Sequence, residues 1–296
     1  MEYGEHAGPQ AAWADSVPVI AFLRQTLAVA QAEMHKLRRD PWELLTRAVQ
    51  PALWLLIFGE VFARVRGITG GGISYLSFLA PGVLAQSTLF IAIFYGIIVI
   101  WERDLGILQK LLVTPAARTA LVLGKGLSAA VRGLAQALIV YLLAAVIGVP
   151  LRFSPLSIAA VLVFVSLGAV LFSTFSLAIA CLLRTRERFM GIGQVLTMPL
   201  FFASNAIYPI SLMPRWLRVV AAVNPLSYLV DALRTPELTS RLLDVDPLSY
   251  LVDALRTLMV GKVPGAFSLW VDFGVLAVLA AVLVMVAARL YPKVAR

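Results

Sequence analysis

The chain has 296 residues, of which 60% are hydrophobic and 14% charged, with a formal net charge of +9 and a mean hydropathy of +0.89. Soluble domains carry about 25% charged residues, so the composition excludes a water-soluble globular protein and points to a membrane chain. The positive balance is not read as a nucleic-acid footprint, because membrane proteins gather Lys and Arg on their cytoplasmic side.

The first fifteen residues are polar and contain Glu2, Glu5 and Asp15, so no cleavable signal peptide is expected. Residues 16–40 then carry an amphipathic pattern. Ile20, Leu23, Leu27, Ala30, Met34 and Leu37 recur at spacings of 3, 4, 3, 4 and 3, one apolar stripe on a helix. Arg24, Gln31, His35 and Arg38 lie off the stripe, and Asp40-Pro41 ends it. Such a helix lies in the membrane interface with its basic side among headgroups, or packs on another protein surface.

Between residues 44 and 288, six stretches are apolar enough for the roughly 20 residues that a hydrocarbon core of about 30 Å requires. They are Leu44 to Val65, Tyr75 to Ile100, Ala120 to Val149, Ile158 to Leu183, Phe189 to Ile210 and Phe267 to Ala288. None alternates apolar and polar as barrel strands do. The expected fold is an all-α integral membrane protein: one domain over 1–296, six transmembrane helices, an N-terminal interface helix, and short outer helices between spans five and six. An even number of spans puts both termini on one side. That side carries fifteen Lys and Arg against nine on the other, which assigns both termini and the 102–118 loop to the cytoplasm. The single cysteine, Cys181, lies in an apolar run and leaves no internal disulfide.

The loop "ERDLGILQKLLVTPAAR" (102–118) interrupts these runs with Glu102, Arg103, Asp104, Lys110 and Arg118. Leu105, Leu108, Leu111 and Leu112 give one apolar side to a short helix, and Glu102 and Asp104 suit its N-terminal dipole. Thr114-Pro115 stops it. Its apolar side needs a partner, either the membrane surface or a groove in another protein.

Chemistry-bearing patterns are sparse. No G-x-x-x-x-G-K-[ST] occurs, so no P-loop ATP hydrolysis is expected. Both histidines, His6 and His35, precede the first span, and no metal-ligand spacing is present. Glu60 pairs at i,i+4 with Arg64 near one end of span one, or marks a substrate or proton site. Arg132 shares a helix face with Lys125 and is expected to snorkel to the interface, the alternative being a pore role. Aromatic and small polar residues in the spans, among them Phe90, Phe94, Phe172, Phe175, Phe202 and Asn205, suit an amphipathic cargo or serve helix packing. "PLSYLVDALRT" occurs twice, at 225–235 and 247–257, offset by 22. Each copy reads as a short interfacial helix with Pro at its first position. The first copy follows "WLRVVAAVN" and the second precedes "LMVGK", as a tandem duplication of 225–257 leaves them.

Glu102, Arg103, Asp104, Gly106, Leu108, Leu111, Leu112, Val113, Thr114 and Pro115, then Arg118, Leu123, Gly124 and Lys125, resemble the first cytoplasmic loop of type-2 ABC exporter permeases of the daunorubicin-resistance kind. "QPALWLLIFGEVF" (50–62) resembles that family's first span, and "YPISLMPRWLRVVAAVNPLSYLVDALR" (208–234) its last outer loop. The chain departs from the family pattern at Asp104, Ile107 and Gln109. The resemblance implies the permease half of an ATP-driven exporter in the inner (plasma) membrane, moving an amphipathic drug, lipid or glycolipid. It further implies two separate ATPase chains, a second permease chain, membrane lipid as surroundings and no nucleic acid. It places no cofactor in this chain, with ATP and Mg on the partner ATPase, and gives the chain no catalytic or metal-binding residue. The implied ATPase contacts are Glu102, Arg103, Asp104, Gly106, Leu108, Lys110, Leu111, Thr114, Pro115 and Arg118, with Arg186 and Glu187 of "RTRER" (184–188) as the second contact. The readings held beside it are a subunit of an ATPase-independent channel or secondary carrier, and a membrane-embedded enzyme.

Overall fold

The computed structural model describes residues 18–39, 42–63, 74–114, 116–151, 153–183, 185–202, 247–259 and 269–292. All regular elements among them are helical, with no strand. They are α1 (Pro18–Arg39), α2 (Trp42–Leu53), a π-helical stretch (Trp54–Phe58), α3 (Gly59–Ala63), α4 (Tyr75–Asp104) and α5 (Ile107–Val113). After these come α6 (Arg118–Val146), α7 (Pro155–Ala180), α8 (Arg186–Phe202), α9 (Pro247–Met259) and α10 (Leu269–Leu290). Among the described residues, four helices are long and apolar enough to cross a membrane: α4, α6, α7 and α10.

Local chemistry sets the ends. Ser74 caps α4 by accepting from the Ser77 N–H at 3.2 Å. Pro155 opens α7 at a position where its missing N–H costs nothing. Gly148, at φ +84°, ends α6; its N–H reaches Ala145 O and the Val149 N–H reaches Ala144 O, closing the last turn on its own carbonyls. Pro51 inside α2 supplies no N–H to the ladder. Three residues later the helix widens, and the Gly59 N–H bonds Trp54 O five residues back.

α7 is the hub and packs on α4, α6, α9 and α10. Small residues allow the approach, as expected where lipid gives no hydrophobic drive between helices. The Gly96 N–H donates to Ser176 Oγ at 3.2 Å, and the same hydroxyl donates to Ile93 O. A Cβ at Gly96 would meet Phe189 Cζ at 2.7 Å. The most apolar stretch of α4 is 78% buried and that of α10 only 28%, so α4 is interior and α10 presents most of its surface outward.

α9 holds the second copy of the repeat, and here the expectation of an interfacial helix is corrected. Tyr250, Leu251, Val252, Ala254 and Leu255 are all buried in the main core, and Leu251 lies against Gly168 of α7. The apolar stripe is spent on the bundle and not on the membrane surface. The first copy, 225–235, lies outside the described residues.

Candidate functional site

The 102–118 region lies where several elements converge. The α4 ladder continues through Asp104, four residues past the expected end of span two. The Leu105 N–H bonds Trp101 O, and Gly106 then turns the chain at φ +70°, a conformation that suits glycine. Only then does α5 begin, at Ile107. Glu102 and Asp104 therefore finish a long helix and do not open the short one, which corrects the dipole argument made for them. Leu105 is in the turn and exposed.

Each acid has a cation. Glu102 Oε2 accepts from Lys125 Nζ of α6 at 2.5 Å, and both side chains are 5% exposed or less. Asp104 accepts from Arg103 and, at 3.0 and 2.9 Å, from Nε and Nη2 of Arg186 at the start of α8. The Arg186 guanidinium also lies 5.1 Å over the Trp101 ring, a cation–π contact. The buried pair ties α4 to α6, and the exposed cluster ties α4 to α8.

α1 joins the same end. Gln25 Oε1 accepts from the N–H of Ala117, the residue capping α6, and so satisfies one of that helix's unpaired donors. α1 packs along α6 through Thr26 and Val29. A Cβ on Gly124 would lie 2.6 Å from Val29 Cβ and 2.8 Å from Thr26 O, so the glycine before Lys125 is what permits the contact. The expected stripe is turned the other way, with Ile20, Leu23 and Leu27 exposed.

The α5 helix hangs on this base. Leu108 is fully buried in a cluster with Val99, Leu121, Leu177 and Tyr291, so its expected place on a docking face is corrected: it fastens α5 to its own bundle. Lys110, Val113 and Thr114 are exposed and Leu111 is partly buried. Thr114 ends the helix by donating to Leu111 O at 2.6 Å. Arg118 is exposed at the first turn of α6, and Glu187 is exposed on α8. Pro115 lies outside the described residues.

A second feature is a groove between α2, α4 and α6, of about 460 Å³, lined by Thr46, Gln50, Pro51, Ser87, Phe90, Ile91, Phe94 and Gln136. It unites Phe90 and Phe94 of the expected cargo pathway, whose rings are 6.1 Å apart. Phe172 is 2% exposed in the core and serves packing, which corrects its place in that pathway. Phe175 is partly buried and Phe202 exposed, neither lining this groove, and Asn205 lies outside the described residues.

Sequence reasoning missed the burial of four charged groups among the described residues, the first being Glu102. Lys125 and Arg132 are each 3% exposed and do not snorkel. Arg132 stands halfway along α6, about 21 Å from its start at 1.5 Å per residue, with Nη1 on Ser128 Oγ at 2.6 Å and its guanidinium 5.1 Å over the Tyr95 ring. Asp272, in the first turn of α10, is fully buried. An i,i+4 pattern of Ser128, Arg132 and Gln136 on one face of α6 was the available signal.

Four helices long and apolar enough to cross a membrane among the described residues, with a short helix on an ion-paired base, define a multi-pass membrane protein. Residues 24–238 match the family described as ABC-2 type transporter, and the chain belongs to that family. It is 28% identical to the putative transport permease ycf38 of Cyanophora paradoxa over 74% of this chain and 76% of that one. It is 26% identical to nodulation protein J of Rhizobium leguminosarum bv. trifolii over 68% and 76% respectively. The daunorubicin resistance ABC transporter permease protein DrrB1 of Streptomyces coeruleorubidus is 24% identical over 71% and 73%. The family is one of transport permeases, which work with ABC ATPase partners, and not of enzymes.

Proposed function

We propose that this chain is the transmembrane subunit of an ATP-driven exporter that moves an amphipathic drug, lipid or glycolipid out of the cytoplasm. Two separate ATPase chains carry the ATP and Mg chemistry, and a second permease chain completes the unit. The chain lies in the inner (plasma) membrane as one domain. The segment 42–63 and the helix starting at Arg186 serve as spans one and five beside α4, α6, α7 and α10. Both termini face the cytoplasm, and α1 lies in the interface with Ile20, Leu23 and Leu27 toward lipid or the ATPase.

The observation that carries this reading is the seating of α5. It is anchored inward by Leu108, presents Lys110, Val113 and Thr114 outward, and stands on helices locked to one another by Glu102–Lys125 and Asp104–Arg186. A push on α5 from an ATPase is thereby carried into α4, α6 and α8 together. The relative named for daunorubicin resistance supports a drug-like cargo.

The test is reconstitution with the cognate ATPase in vesicles. ATP-dependent movement of a labelled amphipathic cargo, lost on removing the ATPase, is the expected result. Flux that persists without any ATPase would instead establish the channel or carrier reading.

A further inference from the structure

A separate groove, of about 710 Å³, opens between α6, α7 and α10. Its walls include Leu123 of α6, Leu162 and Val170 of α7, and Phe273 and Met285 of α10, and the small side chains of Ala280 and Ala281 leave it open. The polar side chain that lines it among the described residues, Ser166, donates its hydroxyl proton to Leu162 O of its own helix at 2.7 Å. A polar occupant would give up water here without compensation, whereas a hydrocarbon chain gives up nothing. The ends of α10 place the groove in the bilayer. Trp270, 83% exposed, opens the helix, as aromatic side chains do at one membrane interface. Arg289, exposed in the last turn, suits the other. The two are about 28 Å apart at 1.5 Å per residue, close to the hydrocarbon thickness of about 30 Å. Ala287, Ala288 and Tyr291 cluster with Leu108, so Arg289 lies at the end of the bundle that carries α5.

We propose that this groove holds one acyl chain of an anionic phospholipid whose headgroup phosphate pairs with Arg289. Met285, on the groove wall, and Arg289 are neighbours at i,i+4 on α10, so the groove leads to the guanidinium. One leaflet of the hydrocarbon core is about 15 Å deep, which carries a chain from the level of Arg289 past Met285 to about Ala280. The guanidinium presents a planar fork of donors that matches a phosphate. A zwitterionic head offers that phosphate beside its own cation, and so gains less from the same charge. The lipid is a ligand of the fold and not cargo, and the proposal rests on the membrane class of the chain, not on the exporter reading.

The test uses the purified full chain in phosphatidylcholine nanodiscs, with a phosphatidylglycerol carrying a photoreactive group in its acyl chain as probe. Label is expected on peptides from 162–170 and 280–285. Unlabelled phosphatidylglycerol should compete about fivefold better than added phosphatidylcholine, the preference that one basic residue confers near a membrane surface. Arg289→Gln should abolish this preference while the groove peptides are still labelled. Ala281→Phe, which fills the groove, should lower labelling several-fold, whereas Val286→Phe, exposed but outside the lining, should leave it unchanged; retained melting temperature shows that the variants fold. The competition on the unaltered chain needs no variant. Equal competition by the two lipids would mean contact with bulk lipid only and would overturn the proposal. So would a preference that survives Arg289→Gln, or labelling indifferent to Ala281→Phe. Cross-linking of two copies through a cysteine at Met285 would assign the groove to a second chain and overturn it equally.

Discussion

At the scale of residues, the most consequential interaction is the buried pair of Glu102 and Lys125. Two ions withdrawn from water meet at 2.5 Å, and the attraction is offset by desolvation, so the pair itself adds little net stability. Removing one partner is another matter, since it strands a buried charge and costs about 3–5 kcal/mol. Lys125→Met is therefore expected to lower the melting temperature of the purified chain sharply, and Glu102→Gln on top of it to recover most of the loss. A double variant as unstable as the worse single one would show that the two side chains do not act as a pair. The Asp104–Arg186 contact is far more exposed, with side chains 34% and 43% accessible. Exposed pairs contribute only about 0–1 kcal/mol, so Arg186→Ala is expected to leave stability nearly unchanged.

At the scale of elements, α5 and α9 each invert a reading of their apolar residues. In α5 the periodic leucines do not form one docking face, because the turn at Gly106 leaves Leu105 outside the helix and Leu108 is drawn into its own core. Leu108→Asp is thus expected to prevent folding, with no membrane-inserted chain recovered, whereas Val113→Asp and Lys110→Glu retain the fold. Surface changes of that kind move stability by about 0.5 kcal/mol or less, and their effect should appear as weaker co-purification with the ATPase and reduced transport. Full co-purification of both variants would remove α5 from the coupling surface.

The eleven residues of α9 that repeat 225–235 run on into Leu258 and Met259, both buried, whereas Pro236 and Glu237 follow the first copy in the sequence. Deleting 236–257 joins the first copy to Leu258 and rebuilds the packed sequence residue for residue. Assembly, ATPase stimulation and export are expected to survive the deletion; loss of export with normal insertion would show that the extra copy has acquired a role.

At the scale of the whole molecule, the open question is what covers the segment 42–63. Leu53, Leu56, Ile57 and Val61 are about half exposed, an apolar row that lipid or a second permease chain can cover. The six-span reading favours a two-fold pair of permeases with matching patches. In a Cys181→Ser background, a single cysteine at Ile57 is expected to cross-link two copies of the chain in native membranes, while one at Met285 on the outward face of α10 is not. Cross-links at Met285 and none at Ile57 would relocate the interface.

Much of this was present in the sequence itself. The membrane class, the helical spans, the amphipathic helix before them and the loop at 102–118 follow from apolar run length and periodicity, because those signals act along the chain and need no knowledge of neighbours. That Phe90 and Phe94, set four apart on one helix, share a face was legible in the same way. What tertiary structure alone decided was the partner of each side chain. Glu102 meets Lys125 across 23 positions, Asp104 meets Arg186 across 82, and Gly124 admits α1 only because of where Val29 arrives. Arg132 and Lys125 were expected at the membrane surface because periodicity reports a helix face but not what that face touches. In a bundle packed by small residues the facing helix comes close enough to bury a charge, and whether a side chain is burdened or matched is settled by the element that packs against it.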